Sequence, residues 1–281
     1  MQYVLLAALC SVLVSVLLKL ARRFDIDVGQ AVAWNYVAAL ALALLVLQPP
    51  TDALRGPAAP WFALAALGLL LPTIFLALAA SVRHAGIVRS DAAQRLSLLI
   101  PLLAAFTVFG QPADGMKLLG CALGLLALGC RVWRGKQDDG GGAAARWQWP
   151  LAVFAGFGLI DVLFKRVAAA GLPLGSSLLA VFALALVVAF AIQFARRARF
   201  TLRSALGGLL LGACHFATIA FYLQAHRALP ERPALVFASM NLGVVALGAL
   251  VGVALFRERL GRLNVLGLLL AFVAIALLAR A

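Results

Sequence analysis

Asp161 and Lys165 stand four residues apart in the apolar stretch GFGLIDVLFKR, which runs from Gly156 to Arg166. Acid first and base one turn later puts both on one helix face, in the order that favours an ion pair. Burying either charge in hydrocarbon costs several kcal/mol unless it is paired or faces a polar cavity, so such residues mark coupling or substrate sites by default. At about 1.5 Å per residue, Asp161 falls about 18 Å into its apolar run and His215 about 17 Å into its own, near the middle of a core roughly 30 Å thick. Lys19 and Lys165 come about 24 Å along theirs, where a long side chain can snorkel to the nearer interface instead. Asp161 is too short to snorkel, and of the 10 acidic residues only this one lies deep in an apolar run.

Other polar groups sit at comparable depth. Asn35, Tyr36, Ser239 and Asn241 offer hydrogen bonds either to a neighbouring helix or to a cargo. His215 can bond a neighbouring helix or titrate near neutrality. Arg95, four residues into its run, serves either as an interfacial anchor or as a cavity cation.

The elements that must carry these residues are membrane helices. The 281 residues are 65% hydrophobic and 12% charged, with a mean hydropathy of +1.05, which is outside the range of soluble domains. Ten apolar runs reach the length of about 20 residues that a crossing requires: 3–20, 30–47, 60–82, 92–109, 115–133, 149–168, 174–195, 204–225, 233–255 and 263–279. The first run lacks a basic leader and a small-residue cleavage site, so it reads as a retained helix. Cys10, Cys121, Cys130 and Cys214 show no CxxC spacing and no neighbouring histidine, which argues for packing rather than zinc or disulfides. GxxxG spacings at Gly120 and Gly124, Gly208 and Gly212, and Gly248 and Gly252 suit close helix packing. Trp61, Trp133, Trp147 and Trp149 fall near helix ends, as an interfacial belt does.

The chain reads as two halves. The polar, glycine-rich piece 134–146 is a linker between 1–133 and 147–281, each with five apolar runs. An offset of 146 places Ser15-Val-Leu-Leu-Lys19 over Asp161-Val-Leu-Phe-Lys165 and Gly29 over Gly175, and an offset of 147 places Gly120 over Gly267. A duplicated unit of five helices must sit in opposite orientations, an inverted repeat. Lysine and arginine favour the connections after runs 1, 3, 5, 7 and 9 by 17 to 7. The positive-inside rule puts those connections in the cytoplasm and both termini outside.

RLSLLIPLLAAFTVFG with Pro101, the following Gly120, and SMNLGVVALGALVGVALFRERLGRLNVLGLLLAFVAIALLA resemble the drug/metabolite transporter superfamily, in its EamA-like ten-helix branch. The resemblance implies an all-α membrane protein of ten helices in two inverted five-helix repeats, with a central cavity and alternating access. In that family a glutamate closes helices 4 and 9. Glu258 fills the second place and Gln111 stands in the first. Members are often drawn with both termini in the cytoplasm, opposite to the charge count.

No Walker motif is present, so ATP bound by a P-loop does not drive this chain. An intramembrane enzyme would need paired acids, a histidine set or a nucleophile with its base, and none is evident. The reading is therefore a secondary transporter of a small polar or anionic metabolite in a bacterial inner membrane, with proton coupling open. A lipid flippase or an enzyme acting on a lipid-linked substrate is the alternative. Partners expected are a small-molecule substrate and membrane lipid, without nucleic acid and with a homodimer left open. No cofactor or metal is expected.

Overall fold

The computed structural model describes every residue except 51, 53, 55, 57–58, 86–89, 91–92, 95, 133–146, 257–261 and 281. The α-helices with described bounds are α1 (Gln2–Ala21), α2 (Val28–Leu47), α3 (Trp61–Ala85), α4 (Leu99–Thr107), α5 (Gly115–Val132), α6 (Gln148–Ala169), α7 (Leu174–Ala195), α8 (Leu202–Ala228), α9 (Pro233–Phe256) and α10 (Arg262–Arg280). Val28–Leu47, Trp61–Leu78, Leu174–Ala195, Leu202–Ala228 and Pro233–Val251 are long and apolar enough to cross a membrane, and α1, α5 and α10 hold shorter apolar segments. The proposed linker 134–146, Arg95 and Glu258 lie outside the described residues.

Helix ends follow local chemistry. The Asp27 carboxylate accepts from the Gln30 backbone N–H at 2.8 Å and starts α2, while Thr201 accepts from the Ser204 N–H and starts α8. Asp114 starts α5 in the same way. Its Oδ1 accepts from the Lys117 backbone N–H at 2.8 Å, and that bond first of all holds its carboxyl below the ordinary range. The run 92–109 is not one continuous helix: Ala93, Gln94 and Leu96 are helical and Ser97 and Leu98 form a turn before α4, because Pro101 has no N–H to offer the Ser97 carbonyl. That carbonyl accepts from Ile100 in a tighter turn at 3.0 Å, and α4 begins beyond it with proline in its first turn.

The chain divides into two compact units, and neither is one of the sequence halves. The first comprises Met1–Phe75 and Leu163–Pro230, the second Leu76–Val162 and Glu231–Ala281.

In the first unit α2 packs most extensively on α8, and also on α7. A methyl at Gly208 would lie 2.6 Å from the Ala31 carbonyl oxygen, and one at Gly212 would collide with the Asn35 carbonyl oxygen. Missing side chains thus let the two backbones approach. Helices α2 and α7 run antiparallel. A methyl at Gly29, at the start of α2, would meet the Gln193 side chain at 3.2 Å, and one at Gly175, at the start of α7, would meet Leu47 at 3.0 Å.

In the second unit α5 packs on α10, and α9 on α10 and α4. A methyl at Gly120 would lie 2.8 Å from the Leu278 side chain, and one at Gly158 on α6 would lie 2.6 Å from Ile100. Nothing described lies within 4 Å of a methyl at Gly248, so that third spacing makes no comparable approach.

Candidate functional site

Two predicted site residues meet directly in the first unit. Asn35 on α2 and His215 on α8, 1% and 8% exposed, join Oδ1 to Nδ1 at 3.0 Å. An amide oxygen can only accept, so Nδ1 is the donor, and in the neutral ring Nε2 keeps a lone pair. Tyr36 follows Asn35 and is fully buried, its ring centroid 5.8 Å from the imidazole. Phe75 and Phe182 stand 6.1 and 6.5 Å from the same ring, and Phe216 packs on Phe182 at 6.3 Å. Polar groups are therefore enclosed by aromatic faces.

The cluster is not saturated. Asn35 Nδ2 and Tyr36 Oη are buried and have no hydrogen-bond partner among the described residues, and the same holds of Trp34 Nε1, whose ring packs on Phe190. A buried group left so costs about 1–3 kcal/mol. Unpaired donors of this kind, held in an apolar bundle, are what a ligand bearing acceptor oxygens would satisfy. The helix packing explains their fixed positions, since Gly212 brings the α8 backbone against the Asn35 carbonyl one turn before His215.

Lys165 is 4% exposed, and its ammonium donates to the Pro230 carbonyl at 2.7 Å. Beside it on the chain segments of this unit, the Arg227 guanidinium donates to the Leu172 carbonyl, and the buried His226 packs on Tyr222 with centroids 4.8 Å apart. Lys165 thus tethers α6 to the end of α8 rather than reaching toward Asn35 and His215. Asp161 lies four residues earlier on α6 and is half-buried, within the second unit. Lys19 lies in α1.

Also in the second unit, Asn241 is half-buried and its amide donates to the Phe237 carbonyl of its own helix at 3.1 Å. Ser239 is 4% exposed, with its hydroxyl unpartnered among the described residues. Gln111 is buried, and its Oε1 accepts from the Ala234 N–H at 3.0 Å, one of the orphan donors at the start of α9. No group of three or more His, Cys, Asp or Glu suited to a metal occurs among the described residues.

Sequence reasoning overlooked Trp34, the phenylalanine walls and the Pro230 carbonyl. One signal for Phe182 was present, because the offset of 146 that pairs Lys19 with Lys165 also pairs Tyr36 with Phe182.

The profile of the EamA-like transporter family matches residues 1–131. An uncharacterized protein of Haemophilus influenzae is 41% identical over 98% of this chain and 96% of its own length. The chain belongs to the EamA-like transporter family. It is thus a multi-pass membrane protein of the drug/metabolite transporter type. A crystal structure that is 17% identical, covering 98% of this EamA-like chain and 95% of the solved one, has a TM-score of 0.70 and shares its fold.

Proposed function

We propose that this EamA-like protein is a secondary transporter, carrying a small polar or anionic metabolite across a bacterial inner membrane by alternating access. Asn35, Tyr36 and His215 contact the cargo. The observation that carries the reading is the buried, unpartnered Asn35 Nδ2 and Tyr36 Oη beside a histidine walled by Phe75 and Phe182. Donors outnumber acceptors, which suits a carboxylate, phosphate or carbonyl oxygen. Among the other predicted residues, Asp161 is the group for proton coupling, and Lys19, Arg95 and Asn241 are secondary cargo candidates.

Ten spans arranged as two inverted repeats, 1–133 and 147–281, complete the proposal. Burial supports it. Gln30, Ala31, Val32, Asn35, Tyr36, Ala39 and Ala43 are buried in α2, and the positions 146 residues later, Ser176, Ser177, Leu178, Val181, Phe182, Ala185 and Ala189, are buried in α7. The mutual approaches of Gly29 to the end of α7 and Gly175 to the end of α2 have the symmetry of a two-fold axis across the pair. The basic connections then face the cytoplasm.

The test uses purified protein. A thermal-shift screen across metabolite classes identifies a cargo, and flux of that cargo into proteoliposomes is then compared for wild type and Tyr36→Phe. Removing an unpaired buried hydroxyl leaves stability equal or higher, so the expected result is an undiminished melting temperature with flux lowered at least about ten-fold, the loss of roughly 1.4 kcal/mol of binding. Wild-type flux in this variant removes Tyr36 from the site, and chemically altered cargo replaces transport with catalysis.

A further inference from the structure

Away from the polar cluster, the first unit has an apolar recess of about 160 Å³ where the end of α1 meets the starts of α2 and α8. Leu17, Ala21, Ile26, Gly207 and Leu210 are among the residues that line it. Its floor depends on the missing side chain of Gly207, where a methyl would lie 2.7 Å from Ile26 Cδ1. It is therefore a hollow between helices, and it accepts hydrocarbon and nothing that must hydrogen-bond.

The rim has opposite chemistry. Arg23 is exposed between the lining residues Ala21 and Phe24, and Arg203 is exposed one helical turn before Gly207 on the same stripe of α8. Two connections meet at this end and are stitched together. The Asp27 N–H donates to Ser204 Oγ at 3.0 Å, the Gln30 side-chain amide donates to the Arg199 carbonyl at 2.7 Å, and the Thr201 N–H donates to Gln30 Oε1 at 3.0 Å. The α7–α8 connection adds the exposed Arg196, Arg197 and Arg199. Against these five arginines the same connections carry Asp25 and Asp27, and the Asp27 carboxylate is already engaged by the start of α2. The connections at the end of the helices where the hollow lies thus carry a surplus of cations.

We infer that this recess is a binding site for one anionic phospholipid, an acyl chain lying against Gly207 and Leu210 and the headgroup phosphate between Arg23 and Arg203. Arginine suits a phosphate because its planar fork donates two hydrogen bonds at once. A zwitterionic lipid fills the hollow equally well but does not offset the surplus charge. A free phosphate meets the arginines but leaves the hollow empty. The site is independent of the cargo reading, since it shares no residue with the Asn35 and His215 cluster.

The experiment is native mass spectrometry of the full chain with phosphatidylglycerol and phosphatidylcholine of the same acyl composition, with soluble glycerol 3-phosphate as competitor. Wild type is expected to retain one phosphatidylglycerol in preference to phosphatidylcholine, and glycerol 3-phosphate is expected not to displace it. Arg23→Gln with Arg203→Gln should weaken phosphatidylglycerol binding by roughly five-fold per arginine and leave phosphatidylcholine unchanged, about 1 kcal/mol being the attraction of one basic residue to an anionic surface. Both arginines are exposed, so the fold tolerates the changes, and the wild-type comparison of the two lipids needs no variant. Equal retention of both lipids, wild-type phosphatidylglycerol binding in the double variant, or displacement by glycerol 3-phosphate would each overturn the assignment.

Discussion

At the α2–α8 pair the glycines Gly208 and Gly212 face backbone carbonyls, those of Ala31 and Asn35, whereas at the α5–α10 pair Gly120 faces the side chain of Leu278. Both pairs use the GxxxG spacing, yet their tolerance differs. A carbonyl belongs to a hydrogen-bonded helix and cannot swing aside, while a leucine side chain can change rotamer. The rigid pair is the one that carries polar groups between its helices, with Asn35 bonded to His215 at 3.0 Å. The compliant pair meets through Leu278 and Ala274. Close backbone packing here positions a polar site, and the same motif elsewhere only joins two apolar surfaces.

The largest effect should come from adding one methyl to each pair. Gly212→Ala is expected to cost about 3 kcal/mol and Gly120→Ala about 1 kcal/mol, the upper and lower ends of overpacking. Reversible unfolding of the purified variants in mixed micelles measures both. Equal losses would break the comparison, because the identity of the facing atom would then not matter.

These differences mark how far the sequence could be read. Helix positions were legible because about 20 apolar residues in a row have few alternatives, and Asn35, Tyr36 and His215 stood out as polar residues inside such runs. The three GxxxG spacings look alike as text, but only the packing distinguishes Gly212 from Gly248, which no described neighbour approaches. Lys165 was visible, but its acceptor was not. Every residue has a carbonyl, so nothing in the sequence singles out that of Pro230. The break before α4 was readable in principle from Pro101, whose effect on the Ser97 carbonyl is local. Hydropathy extended the run past it.

An intermediate effect sharpens the role of the rigid pair. Asn35→Leu leaves the His215 Nδ1–H without its acceptor, and His215→Phe leaves the Asn35 oxygen without its donor. Each should cost on the order of 1 kcal/mol, as interhelical bonds in membranes do. The double variant should cost no more than the worse single, since no polar partner is then stranded. A double-mutant cycle on unfolding free energy reads this directly. Additive losses would mean that the two side chains do not act on one another, and the α2–α8 pair would then differ from α5–α10 in packing alone.

The smallest effect tests whether the second unit has its own polar constraint, at Gln111. Its Oε1 accepts from the Ala234 N–H in the first turn of α9, a donor with no partner inside that helix. Gln111→Leu removes the acceptor from a buried position and should cost about 1 kcal/mol. Gln111→Glu restores the residue type that the family resemblance places there. A carboxylate accepts the same N–H and is favoured by the positive end of the helix, while its burial opposes it. These contributions nearly cancel, so Gln111→Glu should lie within about 0.5 kcal/mol of wild type. The expected order is therefore glutamine and glutamate together, with leucine below, in unfolding of the purified protein. Equal stability of all three would show that α9 starts without this bond. Flux gives a separate reading, because Gln111 belongs to a different compact unit from Asn35 and His215. A Gln111→Glu protein of wild-type stability and normal flux assigns this position to positioning α9, whereas normal stability with lost flux would make it part of the transport path.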